Sequence, residues 1–525
     1  MPSSSASELT ELTWKSWLVL ALFLATILFV IHPVRVRIAD TAAEAWGYAH
    51  LNVDMKSSPW ISILVLLAST AIEFRSEVVH GFLGSNGIEP YAIVVLIFSL
   101  AYICISLDQS GLLRYIALYV TRRWGKSGIK LLLSFFALSA VMAGLTSNDV
   151  VVLCLTPIIC YFSDVTEVDP EPYLIAMFVA ANTASMALYI GNPTNIIVAQ
   201  ANSISFFVYS AWMLLPFVGA AVSGAAALYM MSKKSIPSDI AVDIDAQPRD
   251  ALVRPLQAII GASVLVLCLV TLGVASFFGV AVWMVTLPFG LAMLVIDIAL
   301  DMYATRQLSN DAPANASSVL EMQPPGGEKP SADTAPEPAP APADISVGSW
   351  LTRCTSGISR RLPTISAASQ RLPYAIAPFS TGMFIIVESL SASGWTPRLA
   401  WLLKQLCPSV VPAIFGIGLV SALACSVLNN LPMTILFTRA MMHPIFVDVG
   451  TRAHRGALFA LIVGSNLGAN FSLVGSLAGL MFQSITIQKN RKIGYMRFMR
   501  WCVPILPIQL AVSCAILAAE MAAIK

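Results

Sequence analysis

The chain has 525 residues, of which 57% are hydrophobic and 11% charged. Soluble domains carry about 25% charged residues, so this balance excludes an ordinary soluble protein. The formal net charge of +2, with no basic patch interleaved with aromatics, gives no sign of a nucleic-acid partner. Repeated apolar runs of roughly 20 residues, enough to cross a bilayer, define an all-α polytopic membrane protein.

Residues 1–13 form a polar, acidic tail unlike the basic start of a secretory signal, so the first span is expected to persist. That span is Trp14–Ile31. A mixed segment with Arg35, Arg37, Asp54 and Lys56 leads to a second apolar run from Trp60, whose tail holds Glu73 and Arg75. A third span covers 88–107. Residues 108–130 are amphipathic, with Arg114, Arg122, Arg123, Lys126 and Lys130 among Leu112, Ile116, Leu118 and Val120. Such a helix lies along the membrane, and its charge places it on the cytoplasmic side.

Two short apolar pieces follow, 131–145 and 150–162, split by Thr146, Ser147, Asn148 and Asp149. Their length suits a re-entrant hairpin with a polar tip. Residues 180–200 then carry Asn182, Thr183, Ser185, Asn192, Thr194 and Asn195 inside an apolar run. Gly191 and Pro193 disfavour helix there, so the helix is expected to open. An opened backbone survives in lipid only where protein or a water-filled cavity satisfies it. Residues 211–231 close the first repeat, 14–231, and 232–255 form a cytoplasmic linker.

The second repeat starts with spans at 256–275 and 280–300. Residues 301–371 are read as a disordered cytoplasmic loop, rich in Pro and Ala, and the repeat resumes over 372–525. It holds a span centred on 376–390, an amphipathic piece at 394–408, and a hairpin whose tip at 426–432 includes Asn430. An interrupted helix at 457–482 carries Asn466, Asn470, Ser472 and Gly475, and the last span is 502–519. Asn148 to Asn182 is 34 residues and Asn430 to Asn466 is 36; Asn148 to Gly191 is 43 and Asn430 to Gly475 is 45. Matching interrupted segments in two halves point to a secondary transporter's substrate site.

With five crossings and one hairpin per half, the second repeat is inverted relative to the first. Basic segments 114–130, 233–254, 306–371 and 489–500 then all lie inside, as the positive-inside rule requires, and both termini lie outside. The nine cysteines form no CxxC pair, and His32, His50, His80, His443 and His454 show no ligand spacing. No metal, cofactor or nucleotide-binding loop is therefore expected; GKSG at 125–128 lacks the upstream glycine of a P-loop.

The segments SLDQSGLLRYIALYV (106–120), LTSNDVVVLCLTPI (145–158), ANTASMALYIGNPTN (181–195), LNNLPMT (428–434) and GSNLGANFSLVGSLAG (464–479) resemble the ion transporter superfamily. Within it they are most similar to ArsB-type arsenite efflux proteins and their eukaryotic relatives, including plant silicic acid effluxers. Dicarboxylate and sulfate carriers share the architecture, with hairpin tips that usually read Ser-Asn-Thr. Here the tips are Ser147-Asn148-Asp149 and Leu428-Asn429-Asn430, a departure toward the ArsB-like branch. The resemblance implies a plasma-membrane protein, often dimeric in such architectures, that exports a small neutral metalloid acid (arsenite, antimonite or silicic acid) in exchange for protons by alternating access, with a sodium-coupled dicarboxylate or sulfate carrier as the alternative.

Arsenite and silicic acid are neutral polyhydroxy acids near pH 7, so they call for paired donors and acceptors rather than a charge clamp. Asn, Ser and Thr side chains provide both, and half-helix ends add oriented backbone groups. The expected substrate set is Asn148, Asn182, Thr183, Asn192, Thr194, Asn195, Asn430, Asn466, Asn470 and Ser472. Asp149 is the sharpest candidate for ion coupling, since an acid beside a mid-membrane tip is costly unless functional or paired. Its alternatives are capping the hairpin's second helix or coordinating sodium. Asp108 is a second coupling candidate that could equally cap the surface helix, and Glu388 is a third.

Overall fold

The computed structural model describes residues 11–37, 50–84, 89–124, 126–240, 248–278, 280–310, 362–372 and 374–523. After α1 (Trp14–Ile31), an antiparallel ribbon pairs β1 (Val34–Arg37) with β2 (His50–Val53), in the register Val34 to Val53. The alternating VRVR suits a strand with one apolar face. Next come α2 (Ser58–Ala68), α3 (Val79–Leu83), α4 (Pro90–Gln109), α5 (Leu112–Trp124), α6 (Gly128–Leu145), α7 (Asn148–Thr166), α8 (Glu171–Ala184), α9 (Pro193–Ala201) and α10 (Phe206–Ser232). The second half holds α11 (Pro255–Ser276), α12 (Val282–Asn310), α13 (Pro363–Arg371), α14 (Ile376–Ala392), α15 (Trp395–Lys404), α16 (Val410–Leu428) and α17 (Asn430–Met442). It ends with α18 (Pro444–Val447), α19 (Thr451–Leu467), α20 (Leu477–Gln488) and α21 (Tyr495–Ala523).

Proline sits in the first turn of α2, α4, α8, α9, α11 and α13, where a missing N–H costs no hydrogen bond. Side chains of Ser147, Asn192, Ser205, Asn429 and Ser476 accept backbone N–H groups at the starts of α7, α9, α10, α17 and α20. The breaks in the apolar runs are therefore capped helix starts.

Among the described residues, nine helical segments are long and apolar enough to cross a membrane. Helices α1, α10, α11, α12 and α16 expose large apolar side chains such as Leu28, Val222, Ile259, Val295 and Val427. In water that surface would be unfavourable; in a bilayer it faces lipid. Helix α8 is buried on every face, and α17 and α19 nearly so. They form the interior.

The element order α4, α5, α6–α7, α8–α9, α10 recurs as α14, α15, α16–α17, α19–α20, α21. Contacts recur with it. The pair α6·α8 is matched by α16·α19, and α7·α20 by α9·α17. Helices α11 and α12 pack on α4, just as α1, α2 and α3 pack on α14, while α10 and α21 pack on each other.

Several boundaries differ from the sequence reading. The second apolar run is not one helix: α2 stops at Ala68, and a π-helical turn, Phe74–Val78, leads into α3. The segment read as a linker is docked, with Ile240 N donating to Lys126 O and Arg254 N to Ser110 O. Gly111, at φ +88°, lies so close to the Ala251 carbonyl that a side chain there would clash. The long loop is narrower than expected. Asp301 to Asn310 extend α12 and 363–371 form α13, while 311–361 lie outside the described residues. The first hairpin tip contracts to Thr146 and Ser147.

Candidate functional site

The two broken helices meet at the centre. Helix α8 ends at Ala184, a 3-10 turn covers Tyr189–Gly191, and α9 restarts at Pro193. Helix α19 likewise ends at Leu467, turns through Gly468–Asn470, and restarts as α20 at Leu477. A Cβ at Gly191 would collide with the Ser185 carbonyl oxygen, and one at Gly475 would press on Ser472 O at 3.3 Å. The first break folds too tightly for a larger residue, whereas at the second the neighbours would have to give by only a few tenths of an ångström.

Asparagines fill the space between the breaks. Asn148 Nδ2 donates to Asn182 Oδ1 at 2.9 Å, and Asn182 Nδ2 donates to Asn470 Oδ1 at 3.0 Å. Asn466 Oδ1 accepts from Ser185 Oγ at 2.8 Å and from Asn192 Nδ2 at 3.0 Å. Its Nδ2 donates to Asn195 Oδ1 at 2.7 Å and to Ile462 O at 2.9 Å. Asn195 Nδ2 ties back to Ser185 O and Leu188 O, Asn192 Oδ1 caps Thr194 N, and Ser465 Oγ donates to Thr194 Oγ1 at 3.3 Å. The asparagines, serines and threonines among them are at most 2% exposed. This network joins the halves and satisfies the polar groups that the breaks release.

One member is incomplete: among the described residues Asn470 Nδ2 is buried without a hydrogen-bond partner, as are Ser472 Oγ, two residues on, and Thr434 Oγ1 on α17. An orphaned buried donor costs about 1–3 kcal/mol. At the second hairpin tip, Asn429 takes the capping role at φ 66°, with Nδ2 on Val474 O at 2.9 Å and Oδ1 accepting from Leu431 N. Asn430 N donates to Gly475 O at 2.9 Å. Thr183 is turned away from the network; its Oγ1 accepts from Gln509 Nε2 of α21 at 3.0 Å.

A cavity of roughly 510 Å³ reaches the other side of the first hairpin tip. Thr146, Ser147, Asp149, Pro193, Leu477 and Arg371 are among its lining residues. The substrate set expected from sequence does not line it. Asn148 points inward to Asn182, whereas Asp149, one residue on, belongs to the cavity. The cap of α7 is Ser147, whose Oγ accepts from Val150 N, so Asp149 does not cap the helix. Among the described residues, nothing donates a hydrogen bond to the Asp149 carboxylate.

The other two candidate acids are paired. Asp108 Oδ2 meets Arg371 Nη2 at 2.6 Å, and Glu388 Oε2 meets Arg439 Nη2 at 2.8 Å. The sequence reading named Ser185 and Asn429 without placing them in the substrate set, and passed over Ser465, Thr434 and Arg439. All but Arg439 lie inside the quoted motifs; a hydroxyl or amide on each interrupted stretch was the available signal.

Buried polar networks at two helix breaks, inside an otherwise apolar helical body, define a membrane transporter rather than an enzyme. The match to the citrate transporter family model spans residues 48–444, and the chain belongs to that family. It is 26% identical to the arsenical pump membrane protein of Yersinia enterocolitica over 80% of this chain and 84% of that one. The arsenical pump membrane protein of Escherichia coli K12 aligns with the same identity and coverage. The solved Alcanivorax borkumensis YdaH transporter aligns over 96% of this chain and 97% of its own, at 12% identity and a TM-score of 0.49.

Proposed function

We propose that this protein is a secondary active transporter that exports a small neutral metalloid acid, arsenite, antimonite or silicic acid, in exchange for protons by alternating access. The observation that carries this reading is the set of unpartnered buried groups, Asn470 Nδ2, Ser472 Oγ and Thr434 Oγ1, beside a network of uncharged amides and hydroxyls. A polyhydroxy acid supplies both donors and acceptors to such groups. The resemblance to two arsenical pump membrane proteins agrees with it.

In this reading the repeats are inverted, the cavity is the approach to the first hairpin tip, and the asparagine network is the inner wall that opens in the next state. Asp149 carries the coupling proton: it faces the cavity and, among the described residues, its carboxylate accepts no hydrogen bond. Asp108, tied to Arg371, is a structural pair. The runner-up, a sodium-coupled dicarboxylate or sulfate carrier, has the family's name in its favour. A dianion needs free positive charge, however, and Arg371, which lines the cavity, is already neutralised by Asp108.

Everted vesicles from cells lacking their own metalloid pumps test this. Arsenite, antimonite or silicic acid should accumulate when a proton gradient is imposed and should stop when it is collapsed. Sodium-dependent succinate uptake with no metalloid flux would replace the proposal with its rival.

A further inference from the structure

Helix α12 carries two carboxylates deep in the protein, Asp297 and Asp301, both 0% exposed. They lie one helical turn, about 6 Å, apart, and their partners differ in kind. Asp301 is fully engaged: its Oδ1 meets Arg254 Nη1 at 2.7 Å and Thr364 Oγ1 at 2.7 Å, and its Oδ2 accepts from Thr364 N at 2.8 Å. Asp297 has neutral partners. Its Oδ2 accepts from Ser106 Oγ at 2.6 Å and Tyr102 Oη at 3.0 Å, and its Oδ1 from Gln257 Nε2 at 3.0 Å. No cation is among them.

A buried carboxylate without a counter-charge is costly, even when hydrogen-bonded. The surrounding side chains fit a protonated carboxyl equally well. Ser106 and Tyr102 hydroxyls accept as readily as they donate. Gln257, 2% exposed, points its Nε2 at both Asp297 and Ser106, while its Oε1 has no partner. Turning that amide end for end places Oε1 where Nε2 now sits. The N end meets a carboxylate, and the O end meets a carboxylic acid. One amide end is left over in either arrangement, so the proton decides between them.

The remaining charged groups on the packed elements are accounted for. Asp301 and Arg254 hold each other, Asp108 of α4 holds Arg371 of α13, and Arg306 lies on the exposed end of α12. Cys104 and Cys268 are buried thiols. Tyr102 and Ser106 belong to α4, the helix whose Leu100, Ala101, Cys104 and Ile105 line the cavity.

We infer that Asp297, between α4, α11 and α12, is a proton-binding site that takes up and releases one proton behind the cavity wall. The step is simple acid–base exchange: one O–H bond forms on the carboxyl as hydronium becomes water, and the Gln257 amide turns to match. The site is distinct from Asp149 and does not depend on the substrate or coupling assigned above. Proton binding here changes how α12 grips α4, the helix that forms one side of the cavity.

Infrared difference spectroscopy of the full-length protein in lipid, titrated in pH, reads this directly. A pH-dependent band from a protonated carboxyl should appear, vanish in Asp297→Asn, and persist in Asp149→Asn. Tyr102→Phe and Gln257→Leu keep the carboxyl and should move the band's frequency or midpoint, which covers the case in which Asp297→Asn fails to fold. If no pH-dependent carboxyl band is lost in Asp297→Asn, or if the band lost there ignores both other variants, the inference is overturned. So does a band that responds to sodium against choline at fixed pH, which would make the site a sodium site.

Discussion

Asn182 Nδ2 donates to Asn470 Oδ1 at 3.0 Å across 288 residues of sequence, so the two broken helices are joined side chain to side chain. Removing either amide strands its neighbours. Asn182→Leu leaves Asn148 Nδ2 and Asn470 Oδ1 buried and unpartnered, a cost of about 1–3 kcal/mol for each orphaned group. A lower melting temperature in detergent, together with lost flux, is the expected result. Ser472→Ala is the contrast. Its hydroxyl has no partner to lose, so the melting temperature should hold while substrate flux falls at least tenfold. Flux that stays intact would remove Ser472 from the binding set.

Ser147 and Asp149 separate capping from coupling on one helix turn. Ser147→Ala removes the cap of α7 and should cost roughly 1 kcal/mol of stability. Asp149→Asn keeps the cap. It should leave the melting temperature near that of the parent while abolishing the response of flux to a proton gradient. Proton-driven transport that persists in Asp149→Asn would exclude the coupling role.

Gly191 tests the break itself. Its Cβ position is occupied by the Ser185 carbonyl, and Ser185 also bonds Asn466 and Asn195. Gly191→Ala should therefore disturb the network, with loss of more than about 3 kcal/mol or failure to accumulate in the membrane. Gly144, with open space where its Cβ would lie, is the control: Gly144→Ala should be silent.

The buried pair Glu388–Arg439, at 2.8 Å with side chains 16% and 6% exposed, links α14 to the second hairpin. Removing one charge leaves the other without this counter-charge, at a cost of about 3–5 kcal/mol. Arg439→Met should destabilise by that order. Adding Glu388→Leu should recover much of it, because two apolar side chains replace the pair. Thermal melts of the single and double variants give the comparison; no recovery in the double variant would assign the pair more than mutual neutralisation.

Outside the membrane, Lys404 Nζ sits 2.7 Å from Asp448 Oδ2, and its hydrogen bond and charge hold the Asp448 carboxyl below its usual range. A depressed folded value contributes stability above the unfolded pKa, near ~4, and loses it as pH falls through the folded value. Asp448→Asn should thus melt slightly below the parent at pH 7, with the difference closing at strongly acid pH.

The doubled pattern was legible because Asn, Gly and Pro inside apolar runs are local signals, and their spacing repeats. Asn148, Asn182, Asn192, Asn195, Asn466 and Asn470 all converge. Which hairpin residue caps was not legible: Ser147 and Asp149 are both good N-caps, and only backbone register separates them. Long-range partners were invisible for a different reason. Asp297 reads as one acid in an apolar run, because Tyr102 and Ser106 lie 195 and 191 residues away. Arg439 was passed over in the same way, since a lone base in a helix does not announce Glu388. The ribbon of Val34–Arg37 was too short to rise above its charged surroundings.

The end of α7 and the start of α8 are held to Arg491 and to the first turns of α21. Arg491 Nη2 meets Asp164 Oδ1 at 2.6 Å, Arg497 engages Glu171 and Asp169, and Trp501 Nε1 donates to Glu171 Oε1 at 2.7 Å. These contacts join opposite halves, and the Arg491 and Arg497 side chains are well exposed. Exposed ion pairs contribute about 0–1 kcal/mol each and are screened by salt. Their hold between the halves therefore loosens as the salt around them rises.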